Sequence, residues 1–271
     1  MTKKPVPQPI VSKSKEVGSV ETKIKAWDSH THINHGSKWD SHNEGNVYTA
    51  YLEKLLQMNE VAHIEKMFCS TFAGVLSTED VEEENEYMFR LARDMECLYQ
   101  WVVIDPRNDK TFAQARRMLK YGKCVGIKLH PVCHQYSLEE YGDKLFSFSS
   151  EYGAIVQIHP EKEASYILPM ADKYPDTTFI MAHLGDESYV DAIEFSKHGN
   201  VYADTSGIAS SKNSVIEYAV SRVGASHILF GTDTYAAGFQ RGRIEYALIS
   251  RQEKEDILRN NAVRLFDLER R

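Results

Sequence analysis

Eight short apolar runs, rich in Val, Ile, Phe and Tyr, alternate along this chain with longer amphipathic segments. Parallel strands that are buried on both faces read as continuous apolar runs, and the helices that connect them read as amphipathic segments. The alternation therefore predicts an α/β protein with a parallel sheet. The predicted strands cover residues 24–33, 64–71, 98–105, 125–131, 154–160, 178–185, 200–207 and 227–233.

The spacing of these strands indicates how the sheet is built. From His30 to Asp233 the chain runs 203 residues, or seven repeats of 29, and one repeat accommodates a strand, a helix and two loops. Eight such units favour a single-domain (β/α)8 TIM barrel over an open doubly wound sheet, whose first strand is commonly followed by a glycine-rich phosphate turn. The predicted helices cover residues 48–58, 78–95, 110–121, 137–151, 161–173, 187–197, 213–223, 244–249 and 252–266.

The first 23 residues do not share the alternating pattern of the rest of the chain. Residues 1–23 contain three prolines and no helical or alternating apolar pattern, which predicts an N-terminal tail. Residues 24–271 form the predicted barrel domain, and a chain of 271 residues that is 42% hydrophobic can fill the core of one large domain.

Charge and targeting signals narrow the function classes. The chain has 32 Lys and Arg against 39 Asp and Glu, and this net charge of −7 argues against a nucleic-acid partner. No apolar run approaches the roughly 20 residues that span a bilayer, the N-terminus lacks the apolar stretch of a signal peptide, and the four cysteines form no C-x-x-C pair. We therefore expect a cytoplasmic protein with a small-molecule substrate and no membrane partner; a homodimer is left open.

Polar residues interrupt the apolar strands near one end of each. In a TIM barrel the carboxyl ends of the strands form the functional face, so residues far apart in sequence are expected to converge there. Any one histidine at such a position could be an ordinary polar group, and the prediction depends on their number. The residues concerned are Asp28, His30, His32, Lys128, His130, His159, His183, Asp204 and Asp233.

The His30-Thr-His32 spacing predicts a metal site. Side chains at positions i and i+2 of a strand point to the same face, so these two imidazoles can bind one cation. His159 and Asp233 would complete a set of nitrogen and oxygen ligands without thiolate. Such a set suits Zn²⁺, the cation we expect, and also Mn²⁺, Fe²⁺, Co²⁺ or Ni²⁺.

The remaining residues suggest how such a site would act. Asp233 is the predicted acceptor of a proton from a metal-activated water. His183 is the predicted group that orients that water and polarises a carbonyl, and a role as a further metal ligand is its less favoured alternative. Lys128 and His130 share a strand face and are predicted to bind substrate; a second metal bridged by a carbamylated Lys128 is the less favoured alternative. The Asp204-Thr-Ser206 cluster is interpreted as ordinary loop chemistry.

Taken in order, the strand-end motifs resemble those of the amidohydrolase superfamily, in the branch that includes aminocarboxymuconate semialdehyde decarboxylase. The resemblance covers residues 24 to 268. It implies a (β/α)8 barrel with a divalent metal at its mouth, held by His30, His32, His159 and Asp233, with His183 as the catalytic histidine. The motifs are Asp28-Ser-His30-Thr-His32, Gly126-Ile-Lys128-Leu-His130-Pro, Gln157-Ile-His159-Pro, Ala182-His183-Leu-Gly, Val201-Tyr-Ala-Asp204-Thr-Ser-Gly and Leu229-Phe-Gly-Thr-Asp233.

Four functions remain open at this point. The main hypothesis is a metal-dependent hydrolase that acts on a small amide, lactone or ester through a metal-activated water. A nonoxidative metal-dependent decarboxylase on the same barrel is the alternative. A TatD-type nuclease is less favoured, because that pattern has a glutamate on the fourth strand where this chain has Lys128. A noncatalytic barrel is the fourth reading.

Overall fold

Parallel strands form a single barrel in the computed structural model, which describes residues 23–34, 51–234 and 236–268. Within these residues eight strands pair in chain order, each parallel to the next. Backbone hydrogen bonds also join the last strand to the first, since the Ser29 amide donates to the Phe230 carbonyl at 2.9 Å. The strands are β1 Ala26–Ile33, β2 Ile64–Thr71, β3 Leu98–Val103, β4 Cys124–Leu129, β5 Ile155–Ile158, β6 Phe179–Met181, β7 Val201–Asp204 and β8 Ile228–Leu229.

Helices follow the strands and complete the (β/α)8 architecture. The predicted barrel fold is thereby confirmed; residues 1–22 of the predicted tail lie outside the described residues. Among the described residues, every helix is too short or too polar to serve as a membrane span. The helices are α1 Leu52–Val61, α2 Phe72–Leu76, α3 Val81–Asp94, α4 Asp109–Met118, α5 Pro131–His134, α6 Leu138–Glu151, α7 Leu168–Lys173, α8 Glu187–Glu194, α9 Val215–Val223, α10 Ala237–Glu245, α11 Arg251–Glu255 and α12 Asn261–Phe266.

Three predicted helices differ from the structure. The predicted helix 161–173 is divided into a 3₁₀ turn, Ala164–Ile167, and α7, because a proline that lacks an N–H group occupies the first turn of α7. The predicted helix 244–249 is wrong, since α10 begins at Ala237; two glycines in that helix weaken its sequence signal. The predicted helix 252–266 is interrupted by one π-helical turn between α11 and α12.

The predicted strands also extend too far at their carboxyl ends. Strands β6 and β8 end at residues 181 and 229 rather than 185 and 233. His183 and Asp233, two and four residues beyond these ends, have φ angles of 68° and 54°, so the chain is not extended where the prediction still places strand. The functional side chains after these strands therefore lie in loops directly above the barrel.

An apolar cluster lies below these loops. It contains buried side chains from all the strands except β7, among them Trp27, Phe68 and Trp101, and packs against Phe266 of α12. The Phe68 and Phe266 rings are stacked with their centroids 4.2 Å apart. This cluster therefore fills the barrel towards its amino end and leaves the carboxyl end for polar residues.

An irregularity in β1 aims its histidines at the barrel interior. Trp27 packs in the apolar cluster, although His30 is three positions further along and would lie on the opposite face of a regular strand. The pairing of β1 with β2 shifts register between Asp28 and Thr31. A shift of this bulge type changes which residues face inward, so that Trp27 and His30 both point into the barrel.

Candidate metal centre

The structure places every predicted site residue at the carboxyl ends of the strands. This is the arrangement expected of a functional face in a TIM barrel. His30 and His32 lie in β1 and Lys128 in β4, while His130 follows β4, His159 follows β5, His183 follows β6 and Asp233 follows β8.

Three of these side chains converge on one point. The Nε2 atoms of His30 and His32 are 3.1 Å apart. The Asp233 Oδ1 atom lies 3.2 Å from Nε2 of His32 and 3.6 Å from Nε2 of His30. Both imidazoles are almost completely buried. This group of two ring nitrogens and one carboxylate oxygen could hold a metal ion.

The far side of each β1 ring is anchored. Nδ1 of His30 lies 2.9 Å from Oδ2 of Asp204, and Nδ1 of His32 lies 2.9 Å from Oγ of Ser70. Ser70 belongs to β2, which pairs with β1, and Asp204 belongs to β7, which lies one strand beyond β8 on the other side of β1. They hold the rings so that the Nε2 atoms face each other and Asp233.

Burial keeps both imidazoles neutral. Desolvation, reinforced by the charge of Lys128, lowers the pKa of His30 to about 3, and desolvation also lowers the pKa of His32. Burial by itself raises the pKa of Asp233, but the hydrogen bond with His32 and the proximity of His30 outweigh it and hold this pKa below its ordinary value. Neutral ring nitrogens beside an ionised carboxylate are ligands suited to a divalent cation.

His159 stands beside this group. Its Nδ1 atom is 3.2 Å from Nε2 of His183, and its ring stacks on His130 with centroids 4.1 Å apart. Desolvation lowers the pKa of His159 to about 4. Among the described residues, His159 belongs to neither of the histidine and aspartate groups whose ligand atoms all lie within 4.8 Å of one another. Its role as the fourth ligand therefore stays a prediction.

Lys128 is buried against the same group. Its ammonium lies 2.8 Å from Nε2 of His30 and 3.1 Å from Oε1 of Gln157. Desolvation lowers the pKa of Lys128 to about 8, although Asp204 and Asp233 oppose this shift. A lysine in this position supplies a cation at the floor of the site.

A comparison with known protein families decides what kind of barrel this is. The model of the family described as "Amidohydrolase" matches residues 27–268, which is most of the chain. The chain belongs to the amidohydrolase family. The family suggested by the strand-end motifs is thereby confirmed, and no curated protein matches the chain.

Solved structures with similar folds share little sequence with this amidohydrolase. The 2,6-dihydroxybenzoate decarboxylase from Rhizobium is 15% identical with a TM-score of 0.73, covering 91% of this chain and 99% of that one. The dihydroxybenzoic acid decarboxylase from Polaromonas sp. JS666, solved with manganese and 2-nitroresorcinol, is also 15% identical, with a TM-score of 0.71 and coverage of 92% and 98%.

A protein named as a probable hydrolase has a similar fold. The Acinetobacter baumannii protein named "probable 2-pyrone-4,6-dicarboxylic acid hydrolase" is 16% identical with a TM-score of 0.67. The superposition covers 90% of this chain and 100% of that protein. At these identities the likeness establishes the barrel fold of the amidohydrolase, and its chemistry has to be argued from its own side chains.

The backbone of this amidohydrolase is strained where its site residues lie. His183, Asp233 and Thr234 all have φ between 54° and 72°, in the left-handed region that costs about 1–3 kcal/mol for such residues. Gly207, at φ 59°, packs so closely that a Cβ atom there would lie 3.0 Å from Nδ1 of His183 and 3.4 Å from Oδ2 of Asp233. The loops after β6, β7 and β8 are therefore held together around these two side chains.

Sequence reasoning missed the part played by the cluster after β7. Asp204 and Ser206 were interpreted as loop chemistry, but Asp204 binds the His30 ring, and Oγ of Ser206 lies 2.8 Å from Nδ1 of His30 and 3.0 Å from Nδ1 of His183. Ser70 and Gln157 were also missed. The signal that could have identified Asp204 is its position as a buried carboxylate at the functional end of a strand.

Proposed function

We propose that this amidohydrolase binds one divalent cation and hydrolyses an amide, lactone or ester bond in a small carbonyl compound. The observation that carries the proposal is the convergence of His30 Nε2, His32 Nε2 and Asp233 Oδ1 within 3.6 Å of one another at the mouth of the barrel. We assign these three residues as ligands and His159 as the fourth.

The donors in the site fit such a cation. Both Nε2 atoms must be unprotonated to bind the cation, and the cation removes the repulsion that two such nitrogens and a carboxylate oxygen would otherwise exert on one another. Ligands of this kind without thiolate favour Zn²⁺, our proposed metal, and accommodate Mn²⁺, Fe²⁺, Co²⁺ or Ni²⁺. When bound in such a site, a divalent cation supplies Lewis acidity, which polarises a carbonyl oxygen and acidifies water.

Asp233 is positioned to take the proton of the attacking water. Its carboxylate is ionised, Oδ1 faces the two β1 histidines, and Oδ2 lies on the side of Gly207 and His183. Oδ2 is thus the oxygen left to accept a proton. His183 places a further imidazole at the same centre, with its ring centroid 5.1 Å from that of His30, and we assign it to orient the water and the substrate carbonyl.

Nonoxidative decarboxylation is the second candidate. The buried ammonium of Lys128, next to His30, would hold a substrate carboxylate as well as a polarised carbonyl. Two of the three structures described above carry the names of decarboxylases. Product analysis separates the two reactions, because hydrolysis in H₂¹⁸O incorporates ¹⁸O into the product and decarboxylation releases CO₂ without it.

The test combines metal analysis with two variants. We expect the purified protein to contain about one divalent cation per chain, and Asp233→Asn and His183→Asn to lower turnover of lactones, amides or aromatic acids by about 10²- to 10⁴-fold. The exposed residues Asp176 and His198 provide matched control substitutions to Asn. A wild-type protein that neither contains nor binds a divalent cation, or variants as active as their controls, would refute the proposal.

A further inference from the structure

Asp204 and Ser206, at the end of β7, contact two different imidazoles of the site. We propose that this pair, the β7 clamp, sets which nitrogen carries the proton on His30, His183 and, through His183, His159. The clamp would thereby leave Nε2 of His30 and of His159 free to bind a cation. This inference rests on the proposed function and assigns positioning residues to it.

The first ring is set by a carboxylate. Oδ2 of Asp204 lies 2.9 Å from Nδ1 of His30, and an ionised carboxylate can only accept a hydrogen bond. Nδ1 of His30 must therefore carry the proton, and Nε2 keeps its lone pair. The ammonium of Lys128 lies 2.8 Å from that Nε2 and can donate to its lone pair.

The second and third rings are set by a main-chain carbonyl. The carbonyl oxygen of Ser206 lies 3.1 Å from Nδ1 of His183, so this Nδ1 is the donor. In the neutral ring Nε2 of His183 is then an acceptor, and its neighbour is Nδ1 of His159 at 3.2 Å. His159 must donate from Nδ1, which leaves its own Nε2 without a proton.

The donors around Asp204 make an amide a poor replacement. Oδ1 accepts from the main-chain amides of His183 and Ser206, at 3.2 and 3.0 Å, and from the Ser206 hydroxyl. Oδ2 accepts from His30 and, at 3.4 Å, from the Gln157 amide. An asparagine would keep its carbonyl on the side with more donors and turn its NH₂ group towards His30.

That orientation predicts a specific change. An NH₂ group facing Nδ1 of His30 can only donate, so His30 would move its proton to Nε2, the atom assigned as a metal ligand. The Lys128 ammonium would then turn from that Nε2 to Oε1 of Gln157, its other partner at 3.1 Å. Asp204→Asn should therefore weaken binding of added Zn²⁺ to the metal-free protein by about 10- to 100-fold, the usual effect of losing an outer partner of a ligating histidine.

Two variants separate positioning from general damage. Asp28→Asn replaces another fully buried carboxyl group, but Asp28 binds Thr232 and the main-chain amide of His30 rather than a ring. Ser206→Ala removes the hydroxyl and keeps both the Ser206 carbonyl and Asp204. Neither variant should move the protons of the imidazoles.

The experiment is ¹⁵N NMR of histidine-labelled, metal-free protein, with rings assigned from single histidine variants, alongside Zn²⁺ titration. We expect Nδ1–H rings at His30, His159 and His183 in the wild type, Asp28→Asn and Ser206→Ala. Asp204→Asn should show an Nε2–H ring at His30, and His183→Asn should release His159 from the Nδ1–H form.

The results distinguish this inference from the proposed function. A wild-type protein that binds Zn²⁺ but has an Nε2–H ring at His30, or an Asp204→Asn variant with wild-type rings and affinity, would overturn the clamp and leave the function standing. If His159 keeps its proton on Nδ1 in His183→Asn, the inference that His183 sets the tautomer of His159 is overturned. The expected rings in a protein that binds no cation would overturn the function instead.

Discussion

Gly207→Ala is expected to damage activity more than stability. Gly207 has φ 59°, so an alanine there costs about 1–2 kcal/mol of folding free energy. The new Cβ atom would lie 3.0 Å from Nδ1 of His183, whereas ordinary contacts begin near 3.5 Å. The His183 ring must therefore move by several tenths of an ångström. Because a displacement of about 1 Å can lower turnover 10²-fold, we expect roughly a tenfold loss of kcat.

Gly153→Ala is the matched control. Gly153 has nearly the same φ, 56°, but nothing lies within 4 Å of the Cβ position. Chemical denaturation should show a comparable loss of stability in both variants, of about 1–2 kcal/mol. Steady-state kinetics on a substrate that the wild type turns over should show the loss of kcat only in Gly207→Ala. Equal kcat in the two variants would refute the argument that Gly207 holds His183 in place.

Three further predictions concern stability. The metal-free protein should lose stability as the pH falls from about 6.5 towards 4. Burial lowers the pKa of His30 to about 3 and that of His159 to about 4, so the unfolded chain takes up protons at these histidines before the folded protein does. Chemical denaturation at several pH values measures this loss, and an unfolding free energy that does not change with pH would contradict it. Gly126→Ala should lower the free energy of unfolding by about 3 kcal/mol, because its Cβ atom would lie 2.2 Å from the Ile155 carbonyl oxygen. Gly238→Ala in α10, with open space around it, should raise the free energy of unfolding by up to about 1 kcal/mol. A change of the same sign in both variants would contradict the packing argument. Phe266→Ala should lower the free energy of unfolding, measured by thermal denaturation, by about 3–5 kcal/mol, because the ring is fully buried between Phe68 and Trp101. A loss below about 1 kcal/mol would show that α12 does not support the apolar cluster inside the barrel.

The fold was predictable because its signal is local and repeated. Each strand and helix carries its own apolar pattern, and eight repeats of similar length leave few architectures to choose from. The identities of the converging side chains followed from the same source, since a barrel brings the carboxyl ends of all its strands to one face. His30, His32 and Asp233 could be named together for that reason.

The contacts among those side chains were not predictable. The positive φ of His183 and of Asp233 arises where the chain leaves the barrel, and apolar periodicity carries no trace of it. The function of Asp204 depends on which ring lies opposite it, a contact between residues 174 positions apart. The sequence Asp-Thr-Ser is common in ordinary loops, so composition alone did not show that residues 204–206 belong to the site.

Closure of the barrel and assembly of the site depend on the same contacts. The β1 histidines are held from one side by Ser70 of β2 and from the other by Asp204 of β7, and the loop after β8 brings Asp233 to them. The main-chain amide of Asp233 donates to the His30 carbonyl at 2.8 Å, so a bond that joins the last strand to the first also sets the position of a proposed ligand. A substitution that loosens the junction of β8 and β1 should therefore weaken cation binding even when it touches none of the ligand atoms.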